Sequence, residues 1–142
     1  MPNISPELRQ LVEAGPLAHL STINADGSPQ VSVIWLGIDG DDLVTAHMRR
    51  EQLKLRNIDR DARVVLSFEG PREPGVLLAS HAVVRAHAAI EGPADDAWEL
   101  LDRLAKVYVG PEVTFPAPKG PGYVVRYTIE RVGGVGPWAQ SA

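Results

Sequence analysis

Two runs of strand-forming character joined by N-A-D-G, LAHLSTI and PQVSVIWLG, constrain this chain more than any other feature. An Asp-Gly pair suits the positive φ of a tight turn, so the two runs read as a β-hairpin. In the second run Val31, Val33 and Trp35 fall on one face, and Ser32, Ile34 and Leu36 on the other. Because side chains alternate along a strand, apolar residues on both faces require cover on both sides. That calls for a barrel or an interface rather than a sheet with one wet face.

The remaining elements agree. Strand-forming stretches recur in DLVTAHM, RVVLSFE and YVVRYTIERV, separated by the turns IDGDD and PREPG. VLLASHAVVRAHAAIEG is long enough for one bent strand or two strands meeting at a bulge. Helices enter between strands. Ser5, Pro6 and Glu7 make an N-cap, a first-turn proline and a first-turn acid ahead of Leu8, Leu11 and Val12. REQLKLRNI predicts a short second helix, and a third begins at Asp95 and Asp96, with Ala97, Leu101, Leu104, Ala105 and Tyr108 inward and Gly110 as its stop. The order predicts a mainly β domain with peripheral helices, not a doubly wound sheet. Residues 1–142 read as one domain, with a glycine-punctuated, flexible tail over 133–142.

Composition narrows the chemistry. The chain has 142 residues, 44% hydrophobic and 23% charged, enough for an ordered core. A net charge of -4 disfavours a nucleic-acid partner. No apolar run reaches the ~18 residues of a membrane span, and MPNISPELRQ lacks a charged segment leading into an apolar one, so no membrane partner and a cytoplasmic location are expected. The absence of cysteine removes disulfides, thiolate nucleophiles and cysteine-ligated metals.

Little hydrolytic or metal chemistry remains. His81 and His87 share strand parity but lie roughly 20 Å apart along a strand, no HExxH or GxSxG occurs, and GGVGPW has no helix after it to receive a phosphate. No metal site is expected. His47 differs from the other histidines because it ends a strand beside AHMRREQLKLRN, which carries four positive charges against one negative. If Arg50 and Lys54 share a helix face at i and i+4 they repel unless an anion lies between them. Arg49, Arg50 and Lys54 would then grip a phosphate or carboxylate at a helix start. The alternative is a solvated face balanced by Glu51, Asp59 and Asp61.

The ordered motifs carry a resemblance. DGSPQVSVIW, the K-x-x-N-I of Lys54 to Ile58, the R-D-A-R of Arg60 to Arg63, KVYVGPEVTFP and ERVGGVGPW together resemble the pyridoxamine-phosphate-oxidase-like split β-barrel proteins that bind flavins and deazaflavins, and within them the coenzyme F420-dependent branch. The resemblance spans about Leu17 to Trp138. It implies a Greek-key split barrel of about six antiparallel strands, a homodimer, and a cofactor in each of two grooves between subunits.

By position, the resemblance implies that Lys54 grips the cofactor phosphate, while Gln52 stands where relatives often have arginine and Arg49 or Arg50 could substitute. Gln30, Ser32 and Val33 match the strand along the ring system, and His47 and Met48 the end of the next strand. Ala79 and Ser80 would reach the partner's cofactor. Trp35, Tyr123 and Trp138 are expected on the substrate side. F420 is favoured over FMN because its oligoglutamate tail asks for more positive charge, which Arg49, Arg50, Lys54 and Arg56 could supply. The implied activity is hydride transfer from F420H2 to an unsaturated small molecule, with solvent or His47 completing protonation. Rival readings are a non-enzymatic carrier of F420, FMN or a tetrapyrrole, and an FMN-dependent oxidoreductase.

Overall fold

A computed structural model describes residues 4–140. The hairpin forms as its sequence demands. Strands β1 (Ala18–Ile23) and β2 (Pro29–Ile34) pair antiparallel from Ala18↔Ile34 to Ile23↔Pro29. At the turn, Asp26 Oδ1 accepts the Ser28 N–H at 3.0 Å and Gly27 takes φ +87°.

Five further strands complete one antiparallel sheet: β3 (Gly37–Asp39), β4 (Asp42–His47), β5 (Arg63–Glu69), β6 (His81–Ala94) and β7 (Gly122–Val135). Their order is β2-β1-β5-β6-β7-β4-β3. The count is seven, not about six, because Gly37–Asp39 pairs with β4 as a short strand of its own.

This order forces closure. Ile34 ends β2 and Gly37 begins β3, so three Cα–Cα steps hold them within about 11 Å. Laid flat, seven strands would separate those two edges by about 28 Å. The sheet must therefore curl until its edges approach, which is the split barrel.

Leu20, Leu66, Val84, Val125 and Tyr127 fill the barrel interior, and the short helix α2 (Leu53–Arg60) adds Leu55 and Ile58 to the same cluster. Leu20, Leu43, Leu55 and Leu66 are each 0% exposed, and such a side chain contributes about 1.5–3 kcal/mol by leaving water. Helix α1 (Pro6–Glu13) joins that core through Leu8, Leu11 and Val12, its Ser5 Oγ accepting the Leu8 N–H at 3.1 Å. Helix α3 (Asp96–Tyr108) lies on the opposite face of β4 and β7, burying Ala97, Leu100, Leu101 and Leu104 against Val44, Ala46 and Val124.

Two expected boundaries move. The long stretch from His81 is one 14-residue strand with register shifts between Arg85 and Ala86 and between Glu91 and Ala94. The expected tail from Gly133 begins inside β7: Gly133, Gly134 and Val135 pair with Val83, Ala82 and His81, and Trp138 Nε1 donates to His81 O at 2.8 Å. Ser141 and Ala142, the end of that expected tail, lie outside the described residues. Among the described residues no helix is long and apolar enough to cross a membrane.

Candidate functional site

The basic cluster is not one helix face. Gln52 is extended (φ -59°, ψ 142°) and α2 begins only at Leu53, so Arg49 and Arg50 lie in the connection before it and the expected i, i+4 stacking of Arg50 on Lys54 does not occur. Both arginines have acidic partners: Arg49 Nε donates to Glu51 Oε1 at 2.8 Å, and Arg50 Nη2 reaches the Asp59 carboxylate at 2.8 Å. Arg50 also lies over the Tyr123 ring, 5.5 Å from its centroid. For these two residues the balanced, solvent-facing reading describes the single chain.

Lys54 differs. It is half-buried and makes no hydrogen bond or ion pair among the described residues, and burial lowers its pKa. A cation withdrawn from water without a counter-ion is unfavourable, so this position suits a bound anion. No side chain caps the N-terminus of α2 beside it. Arg56, also unpartnered among the described residues, borders an adjacent cleft of about 570 Å³ lined by Asn24, Leu53, Asn57 and Arg60.

His47 is buried, within electrostatic reach of Lys54. Strand alternation sends Leu43, Thr45 and His47 into the barrel while Val44 and Ala46 face α3, and Met48 packs with them. His47 Nε2 lies 2.8 Å from Thr45 Oγ1, which lies 2.9 Å from the hydroxyl of fully buried Tyr127. Burial first, and then the Lys54 charge, lower the His47 pKa to about 3, so its imidazole is neutral near pH 7. Gln52 lies close enough to favour the imidazolium slightly. Yet its buried Oε1 receives no hydrogen bond of standard geometry. The two observations agree on proximity, and the geometry shows an unsatisfied acceptor.

The strand-borne candidates divide by parity. Gln30 and Ser32 face inward and join a polar ladder: Asn57 Nδ2 donates to Thr22 Oγ1 at 3.1 Å, Thr22 Oγ1 to Gln30 Oε1 at 2.7 Å, and Gln30 Nε2 to Ser32 Oγ at 3.0 Å. Val33 points to the opposite face and is 55% exposed. Gln30, Ser32 and Val33 therefore cannot present their side chains to one flat ring from a single face, although β2 is an edge strand whose backbone serves either side.

The other candidates scatter. Ala79 and Ser80 lie beyond β5 and β6 at the end marked by the Gly70 N–H bond to Ser80 O at 2.8 Å. Strand register places that end about 20 Å from Thr22 and the α2 ladder. Trp35 stacks on Tyr108 at 5.7 Å and meets Phe115 edge-on at 6.4 Å, beside α3. Trp138 packs against the barrel core. Only Tyr123, opposite His47 in register and beneath Arg50, shares the β4–α2 junction with Lys54. Among the described residues no three His, Asp or Glu side chains gather for a metal.

Sequence reasoning missed Thr45, Tyr127, Thr22 and Asn57. Tyr127 and Thr45 carried a legible mark: polar groups at inward strand positions, which must find partners when buried.

A family model for pyridoxamine 5′-phosphate oxidase matches residues 4–136. This chain belongs to the pyridoxamine 5′-phosphate oxidase family. Among solved structures it is similar to an F420 reductase, at 28% identity over 88% of this chain and 94% of that one, with a TM-score of 0.72. It also shares its fold with a Listeria innocua protein assigned to pyridoxamine 5′-phosphate oxidase (16% identity, 91% and 95% covered, TM-score 0.68) and with HupZ of group A Streptococcus (18% identity, 98% and 99% covered, TM-score 0.65). No curated protein sequence matches the chain. Members of the pyridoxamine 5′-phosphate oxidase family bind flavin-type cofactors and are commonly oxidoreductases. The unpaired Lys54 ammonium fits a phosphate-bearing cofactor.

Proposed function

We propose that the chain is an F420H2-dependent reductase of an unsaturated small molecule, working as a homodimer with each cofactor between subunits. The observation that carries the reading is Lys54, half-buried and without an anionic partner beside the uncapped start of α2. The 28% identity with an F420 reductase favours the deazaflavin over FMN. The charge argument for an oligoglutamate tail narrows from four cations to Lys54 and Arg56, because Arg49 and Arg50 already have carboxylate partners.

When bound, F420H2 supplies a hydride from the deazaflavin ring, and the protein's share is binding and orientation. Lys54 and the first-turn N–H groups of α2 hold the phosphate. The β2 edge, kept in place by the Asn57–Thr22–Gln30 ladder, lies along the ring. Neutral, buried His47 is a poor acid, so solvent completes protonation of the product. Val31, Val33 and Val65, which are 59%, 55% and 37% exposed, share the outer face of β2, β1 and β5 and supply an apolar surface for the second subunit.

The test is separate titration of F420 and FMN into purified protein and into Lys54→Ala. Tighter binding of F420, with about a tenfold or larger loss in Lys54→Ala, is expected. A preference for FMN, or undiminished affinity without Lys54, overturns the proposal.

A further inference from the structure

The buried polar chain inside the barrel has a direction. Tyr127 is 0% exposed, and Thr45 Oγ1 at 2.9 Å is the only hydrogen-bonding neighbour of its hydroxyl among the described residues. Thr45 Oγ1 has one proton to share between Tyr127 and His47 Nε2 at 2.8 Å. If Nε2 carried the imidazole proton, His47 would donate to Thr45, and Thr45 and Tyr127 would hold two hydroxyl protons with one contact between them. One of the two O–H groups would then remain in the core without a side-chain acceptor among the described residues. In the opposite direction both hydroxyls and Nε2 are satisfied: Tyr127 donates to Thr45, Thr45 donates to Nε2, and the proton of the neutral ring sits on Nδ1.

The next side chain along is Gln52, which lies against His47 and has a buried Oε1 with no donor. An Nδ1–H donor and an orphaned carbonyl oxygen are complementary. We infer that Thr45, itself accepting from Tyr127, is a positioning residue that fixes His47 in its Nδ1–H tautomer, so that His47 holds Gln52 Oε1 and turns the Gln52 amide N–H toward the anion gripped by Lys54. The inference rests on the reading of Lys54 as the phosphate-binding residue. It also gives glutamine at position 52 a reason. Arginine offers donors only and would meet the Nδ1–H with another N–H, whereas glutamine supplies the acceptor this chain ends on and still presents a donor.

The test begins with nitrogen-15 NMR of the histidine ring in the full chain near neutral pH, without cofactor. The wild type is expected to show His47 protonated on Nδ1, Thr45→Val to lose that preference and Thr45→Ser to restore it. Thr45→Ala, which also removes the hydroxyl, serves if Thr45→Val does not fold. Removing one neutral hydrogen bond from the chain weakens F420 affinity by about three- to tenfold with Lys54 intact. An Nε2–H ring in the wild type, or a tautomer unmoved in both Thr45→Val and Thr45→Ala, overturns the inference whatever cofactor binds. An Nδ1–H ring in a protein that binds neither F420 nor FMN instead overturns the cofactor reading and leaves the Tyr127–Thr45–His47 direction standing.

Discussion

Thr22 Oγ1 donates to Gln30 Oε1 across 2.7 Å, and through that bond the edge strand β2 is tied to helix α2 on the far side of β1. Asn57, 1% exposed, is the helix end of the tie. Its Nδ2 reaches Thr22 Oγ1 at 3.1 Å and Asn24 Oδ1 at 2.9 Å, and its Oδ1 accepts from Arg60 at 3.0 Å. Asn57→Ala breaks all three bonds and opens a polar void, for an expected loss of about 2–4 kcal/mol in urea unfolding. A shift below about 0.5 kcal/mol would show that the ladder does not hold β2.

The K-x-x-N-I spacing was visible in the sequence, but the work of its asparagine was not. Lys54 and Asn57 are one helical turn apart, and only the fold reveals that the first lacks a partner while the second has three. Local features were readable because their causes are local: the Asp26–Gly27 turn, the Ser5 cap and the apolar stripe of α3. The start of α2 was misplaced because Glu51 and Asp59 pair with Arg49 and Arg50 in a connection that composition alone makes helical. Gln30 and Val33 were grouped from the resemblance, although their parity already separated them. The pairing of Thr45 with Tyr127 was beyond reach because it spans 82 residues of chain.

His47 makes stability depend on pH. Its folded pKa is depressed, to about 3 from 6.5, so the unfolded chain binds the extra proton between those values. The stabilisation is fully present above pH 6.5 and is lost as pH falls toward 3. Unfolding free energy should fall by up to about 1.4 kcal/mol per pH unit well below 6.5. Asp61, paired with Arg63 and lowered to about 2 from 3.8, acts in the same sense only at lower pH. Denaturant titrations from pH 7.5 to 5 isolate the histidine, and His47→Leu should flatten the slope. An equal slope in the variant would place the proton uptake elsewhere.

Lys54 sets stability against binding. In the free protein its half-buried ammonium lacks a counter-ion, so Lys54→Met should leave stability unchanged or raise it by up to about 1 kcal/mol. The same variant should lose about tenfold or more in F420 affinity. A clear drop in thermal stability would reveal a structural role for Lys54 instead.

Val33 tests the outer face. At 55% exposure it stands beside Val31 on an edge strand, and a partner subunit would cover both. Val33→Lys should leave the isolated fold within about 0.5 kcal/mol of wild type while splitting the dimer in sedimentation analysis. If wild type and variant sediment alike, this face is not the subunit contact.

Gly134 and Trp138 converge on one carbonyl. Gly134 has φ +99°, and a Cβ there would run into His81 O, the same oxygen that accepts Trp138 Nε1 at 2.8 Å. Gly134→Ala must therefore both strain the backbone and displace His81, for an expected cost above about 2 kcal/mol, whereas Trp138→Phe removes one hydrogen bond worth about 1 kcal/mol. Because His81 O is shared, the two losses should not add: once Gly134→Ala has moved the carbonyl, Trp138→Phe has less left to remove. Thermal unfolding of the two variants and their double provides the measurement. Strict additivity would mean that residues 134 and 138 act on the β6–β7 ladder independently, and that Trp138 is not held by the turn the glycine makes.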